Sequence, residues 1–208
     1  MDILIASKND GKIKEIKDFF KSFGSVSLLQ RIRLITYKEI KDFPLIEEGA
    51  DDFLANAMLK ARVVSEITCK ITLADDSGLS VDLLGGIPGV ISSRYAGEAA
   101  TDKQNRDKLI AELSGFENPD MRTARFVCQM VLWDPKKGLL NVSEGICEGR
   151  IGFEEKGSGG FGYDPIFIPE GLNLTMAELS PEDKNRISHR GRALAKLLNY
   201  LDSVNKNT

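Results

Sequence analysis

The chain has 208 residues, 42% hydrophobic and 28% charged, with a formal net charge of −3. That is enough chain to bury a sizeable core, in the composition of an ordinary globular protein. It lacks the basic excess of a nucleic-acid binder, so any anionic ligand must be met by a local cluster of cations.

Ile3–Ala6 is a short apolar run that predicts a buried first strand. The polar turn Ser7-Lys8-Asn9-Asp10-Gly11 follows, and then a helix to about Phe23 with Ile13, Ile16, Phe19, Phe20 and Phe23 on one stripe. Asn9 or Asp10 can cap this helix and Gly24 can stop it. Residues 25–46 are expected to hold one or two strands. A second helix is expected from about Asp52 to Ile67, burying Phe53, Ala57, Ala61, Val64 and Ile67. Ile71–Ala74 reads as a compact strand ending in a turn, Asp75-Asp76-Ser77-Gly78, with extended chain resuming over Leu79–Leu84.

Gly85–Gly89 is a loop, and Thr101–Leu113 a capped helix. Thr123–Trp133 and Leu139–Ile151 are rich in β formers, and Asp134–Gly138 joins them as a hairpin. Glycines crowd residues 157–162. A last helix is expected from about Arg190 to Leu201, followed by a frayed tail over residues 205–208. Alternating helices and strands followed by a long hairpin predict an α/β fold. Its expected form is an elongated mixed β-sheet flanked by helices, in two lobes with a central substrate cleft, with residues 1–208 forming a single domain.

Cys69, Cys128 and Cys147 are odd in number and widely spaced, and His189 is the only histidine, so a structural zinc site is not expected. No apolar stretch nears the ~20 residues of a membrane span, and Met1–Ala6 has no basic segment leading into a long apolar run. These features point to a cytoplasmic protein with free thiols.

Five polar clusters carry the candidate chemistry. Ser7, Lys8, Asn9, Asp10, Gly11 and Lys12 lie where a strand meets a helix start, whose free N–H groups and dipole favour an anion such as phosphate. The P-loop pattern is absent there. Asp75 and Asp76 follow a buried strand, where ionised carboxylates are costly unless they are paired or hold a hard cation such as magnesium (Mg2+). Glu47 or Glu48 can complete such a site with Asp76, or can simply favour the start of the second helix.

The segment Gly157–Pro165 contains G-x-G-x-x-G, but Tyr163-Asp164-Pro165 cannot open a helix, so it is not a dinucleotide fingerprint. Phe161 and Tyr163 in such a loop can instead face a base, or tuck into the core. Lys184, Arg186, His189 and Arg190 make a span dominated by donors, suited to phosphate oxygens or a base carbonyl. No G-x-S-x-G surrounds any serine, so general-base catalysis by a carboxylate with a metal fits better than a nucleophilic triad.

Taken in order, these clusters resemble the inosine triphosphate pyrophosphatase family, also called the XTP/dITP diphosphatases. The resemblance runs from Leu4 to about Leu198. It is carried by Ala6–Lys12, Phe53–Ala57 with Lys60-Ala61, Leu73–Leu79, Gly86–Val90, Ser93–Gly97, Gly160–Pro165 and Ser188–Gly191. It implies hydrolysis of inosine, deoxyinosine and xanthosine triphosphates to the monophosphate and pyrophosphate, a homodimer, and a need for Mg2+. By position it implies Asp76 as the base that activates water and, with Glu47, as a metal ligand. Ser7–Lys12, Ser77 and Lys184 would bind substrate. Phe161 would stack on the base, Gly162, Tyr163 and Asp164 would shape its pocket, and His189 and Arg190 would read the 6-oxo group. Ala55 stands where the family has Glu. The alternatives are a pyrophosphatase for other modified nucleotides and a non-catalytic nucleotide-binding module.

Overall fold

The computed structural model describes residues 1–44, 46, 49 and 51–206. Among the described residues, six strands and six α-helices follow in chain order: β1 (Asp2–Ile5), α1 (Asp10–Phe23), α2 (Val26–Arg31), β2 (Arg33–Ile35), α3 (Phe53–Thr68) and β3 (Ile71–Val81), then α4 (Asp102–Glu112), β4 (Thr123–Asp134), β5 (Gly138–Ile151), β6 (Phe167–Pro169), α5 (Pro181–Ile187) and α6 (His189–Lys206). The strands form one sheet in the order β2-β1-β3-β4-β5-β6. β1 pairs parallel with β2 and β3, and β5 pairs antiparallel with β6, so the sheet is mixed and the fold α/β as the sequence predicts.

The chain divides into two compact units. The first comprises Met1–Asp76, Cys128–Gly145 and Arg190–Thr208; the second comprises Ser77–Val127 and Ile146–His189. In the first unit, strand alternation sorts side chains into two cores. Ile3, Ile5, Leu73, Cys128 and Met130 pack with Ile13, Ile16, Phe19 and Phe20 of α1 and with Leu194, Leu197 and Leu201 of α6. The opposite parity, with Leu4, Ala6, Ala74 and Val131, packs with Ala57, Ala61 and Val64 of α3. In the second unit Leu79, Val81, Leu109, Leu113, Phe126, Tyr163 and Phe167 share one core.

The expected turn at Asp75–Gly78 is corrected. The described part of residues 25–46 holds one strand, β2, as expected, and residues 26–31 add a helix before it. Ser25 caps that helix, accepting from the Leu28 N–H at 3.2 Å, and with Leu28 its one buried residue, so short a helix presents little apolar periodicity. No turn interrupts the chain at Asp75–Gly78, because β3 runs unbroken through it. Asp and Gly are weak strand formers, and here tertiary pairing of the carboxylates overrides that preference. The span before the last helix is itself helical: α5 carries Lys184 in its last turn, where a cation suits the helix dipole. Other elements fall close to expectation, including α4 with a capping box of Thr101 and Gln104. Ile67, expected in the core, is 59% exposed. Asn207 and Thr208 of the expected tail lie outside the described residues, as do Glu47 and Glu48.

Candidate active site

The first unit brings together the carboxylates of β3. Neighbouring residues on a strand point to opposite faces, so Asp75 and Asp76 have different surroundings. Asp75 follows the parity of Leu73, toward α1 and α6. Its Oδ2 lies 3.0 Å from Lys12 Nζ of α1 and 3.3 Å from an Arg190 nitrogen of α6. Arg190 is also paired with Glu15 of α1. All four charged groups are largely removed from water, the Asp75 side chain almost completely.

Burial alone would raise the Asp75 carboxyl, but Lys12, Arg190 and Lys60 outweigh it and hold it well below the usual carboxylate range. Burial likewise opposes the charge on Arg190, and Glu15 and Asp75 more than restore it. Burial, reinforced by Asp75, pushes the Cys128 thiol up to about 12. Cys128 is therefore a neutral core thiol and not a nucleophile.

Asp76 follows the parity of Ala74, toward α3. Lys60 Nζ lies 3.5 Å from Asp76 Oδ1 and donates to the Asp75 carbonyl at 2.6 Å. Lys60 sits in the buried stripe of α3 with Asn56, Ala57, Ala61 and Val64. The sequence signal for it was a lysine within an otherwise small and apolar helix face. Glu15 gave less warning, since a part-buried acid flanking the α1 stripe reads as solvated until its partner is seen.

The Ser7–Lys12 segment is built as a cap. Asn9 is the N-cap of α1 and accepts from the Lys12 N–H at 3.0 Å, while Ser7 Oγ accepts from the Asn9 N–H at 3.1 Å. Asp10 opens the helix and pairs with Lys38 at 2.9 Å. Lys8 is exposed, with Nζ 5.7 Å from the centre of the Phe43 ring. Gly11 lies part-buried in the first turn.

The second unit gathers the aromatic loop. Asp164 is buried and accepts from the Phe161 N–H at 2.7 Å and from Lys184 Nζ at 2.5 Å. The same ammonium lies 5.2 Å from the centre of the Phe161 ring. The pairing with Asp164 neutralises two charges that would be costly to bury separately. Tyr163 is buried and donates to the Ser92 carbonyl at 2.8 Å.

Two glycines of this loop, Gly157 and Gly160, are sterically required. A Cβ on Gly160 would lie 2.1 Å from Asp164 Oδ2, and one on Gly157 2.5 Å from the Ala177 backbone. His189, at the start of α6, stacks on Phe126 with ring centres 4.6 Å apart and planes inclined by 13°. Ser77 follows Asp76 on β3 and is part-buried.

Residues 3–200 match the model of the Ham1 family. The chain belongs to the Ham1 family. It is 45% identical over 202 residues to a dITP/XTP pyrophosphatase of Oceanobacillus iheyensis, covering 97% of this chain and 98% of that one. It is 46% identical to a dITP/XTP pyrophosphatase of Bacillus licheniformis, covering 98% and 99%. Its fold matches the structure of a HAM1 protein from Coxiella burnetii with a TM-score of 0.84 at 38% identity, covering 98% and 99%. In this Ham1 chain the expected site residues thus fall into two sets. Ser7–Lys12, Asp76 and Arg190 belong to the first unit, with Lys60 and Glu15 added by the structure. Ser77, Phe161–Asp164, Lys184 and His189 belong to the second.

Proposed function

We propose that this chain is a nucleoside triphosphate pyrophosphatase. On this reading it hydrolyses inosine (ITP), deoxyinosine (dITP) and xanthosine (XTP) triphosphates to the monophosphate and pyrophosphate. The observation that carries this reading is the pair of adjacent buried carboxylates, Asp75 and Asp76, set among Lys12, Lys60 and Arg190. Such a cluster suits a polyanion that must be bound and attacked by water. The dITP/XTP pyrophosphatases to which the chain is 45% and 46% identical support it.

Asp75 and Asp76 divide the work. Asp75 is already engaged by Lys12 and Arg190, so it holds those cations in place. Asp76 is the general base: it takes a proton from water as the water oxygen bonds to the α-phosphorus, and the bond from that phosphorus to the bridging oxygen breaks to release pyrophosphate. Lys8, Lys12 and Lys60 with the Ser7–Gly11 segment hold the phosphates, joined by Ser77 and Lys184. Phe161 stacks on the purine, Gly162, Tyr163 and Asp164 shape its pocket, and His189 and Arg190 donate to the 6-oxo group. A 6-amino group presents hydrogens of its own to those donors and leaves them unsatisfied, which sites of this kind convert into strong discrimination.

Mg2+ binds through one or two carboxylates together with phosphate oxygens, and Asp76, beside Lys60, is a carboxylate donor of that kind. Asp76, an oxygen ligand beside the proposed phosphate site, would hold it, joined by Glu47. When bound, the metal would neutralise charge on the triphosphate. The whole chain acts as one pyrophosphatase domain, as a cytoplasmic homodimer; sedimentation equilibrium is expected to give the mass of two chains, and the mass of one overturns the dimer.

The activity is tested by incubating the protein with ITP, dITP, XTP, ATP and GTP and resolving the products. Monophosphate and pyrophosphate are expected from the first three, with turnover lost when the metal is chelated. Orthophosphate as the product, or equal use of ATP, overturns the reading.

A further inference from the structure

Helix α4 grips the glycine-rich loop at both ends. Asp102 and Arg106 are four residues apart and so share a helix face. Asp102 Oδ2 accepts from the Gly162 N–H at 2.8 Å, and an Arg106 nitrogen donates to the Gly162 carbonyl at 2.7 Å. The same guanidinium pairs with Glu155, at the other end of the loop, at 3.0 Å. Gly162 is thus held through both its N–H and its carbonyl, in a left-handed conformation with φ of 59°. Phe161 precedes it directly.

α4 is itself well fixed. Asn105, 2% exposed, accepts from the Ala96 N–H at 2.8 Å and donates to the Ser93 carbonyl at 3.0 Å. Leu109 and Leu113 are fully buried beneath the helix. The loop it grips is rich in glycine. Glycines have the most conformational freedom to lose on ordering, and residues 157–160 are exposed. A ring carried on such a segment offers a ready face to a base only if something outside the segment orders it beforehand. Hydrogen bonds with an ionised partner are the strong ones, and here two of them converge on a single residue.

We propose that Asp102 and Arg106 are positioning residues that preset the stacking face of Phe161; this rests on the reading of Phe161 as the base-stacking residue. They touch the loop and act on the base through it, so their removal weakens recognition of the purine and leaves the phosphate end intact.

The test compares Asp102→Ala, Asp102→Asn, Arg106→Gln and Phe161→Ala in steady-state hydrolysis of ITP, with inorganic tripolyphosphate, which has no base, as a competitive inhibitor. Asp102→Ala and Arg106→Gln are expected to raise KM for ITP roughly tenfold, with kcat changed far less, as for an interaction made equally in ground and transition states. Asp102→Asn keeps an accepting oxygen and is expected to restore most of the KM. The inhibition constant for tripolyphosphate is expected to stay at its wild-type value throughout.

A KM unchanged in both Asp102→Ala and Arg106→Gln overturns the proposal, and so does a tripolyphosphate constant that rises in step with KM. Phe161→Ala separates the two levels. If it raises KM while the α4 variants do not, the clamp alone fails. If it leaves KM unchanged, the stacking reading fails and takes the clamp with it.

Discussion

Asp76→Asn is expected to lower kcat for ITP by roughly 10²–10⁴-fold, the usual contribution of a positioned general base. The substitution conserves shape. The amide oxygen can still accept from Lys60, which lies 3.5 Å from Asp76 Oδ1, so packing against α3 is retained. The loss should therefore appear in the chemical step, with the thermal unfolding midpoint near wild type. Single-turnover hydrolysis measured beside nucleotide binding separates the two effects. Activity within threefold of wild type would remove Asp76 from its assigned role. The neighbouring carboxylate predicts a different result, because the pleat of β3 turns it to the other face.

Asp75→Asn is expected to act mainly on stability. It strips a counter-charge from Lys12 and Arg190, of which Arg190 is buried and keeps Glu15 as a carboxylate partner. Breaking a buried ion pair from one side costs about 3–5 kcal/mol, and the remaining Glu15 places the expectation at the lower end. Denaturant titration at neutral pH reads it directly.

The pH dependence has a definite sign. The folded-state carboxyl is held below its unfolded value, so its contribution is fully present above about pH 4, the ordinary range of Asp. As pH falls below that, the unfolded chain takes up the proton first and the contribution is progressively lost. The difference in stability between wild type and Asp75→Asn should therefore narrow as the pH is lowered from about 4. A difference that stays constant down to strongly acid pH would show that the Asp75 charge is not what stabilises this part of the fold.

On the proposed reading, acid sensitivity and catalysis rest on adjacent residues that share β3 and contact with Lys60 but face different helices. Two acids in succession look alike in a sequence. Strand alternation gives one of them to α1 and α6, and the other to α3. A turn at Asp75–Gly78 would have left that division undetermined; the continuous strand fixes it.

Much of the protein was legible beforehand. The apolar stripe of α1, the alternating hairpin strands and the capping box of α4 each follow from short-range rules, and each formed within a few residues of expectation. The ordered motifs from Ala6 to Gly191 pointed to the family because their residue types and order are carried by the chain itself. Charge pairing was not legible. Glu15 and Arg190 are 175 residues apart, and Arg190 and Asp75 are 115 apart. Lys60 is marked in the sequence only as a lysine on a small, apolar helix face, and its partners appear only when the packing of α3 buries it. Asp102 and Arg106 read as solvated helix charges until the glycine-rich loop is brought against them. Local sequence determines which segments become helix or strand, because propensity and periodicity act over a few residues. Which charges end up out of water, and which partner each then requires, is decided only when distant segments pack, because the desolvation that makes those pairings necessary does not exist in the unfolded chain.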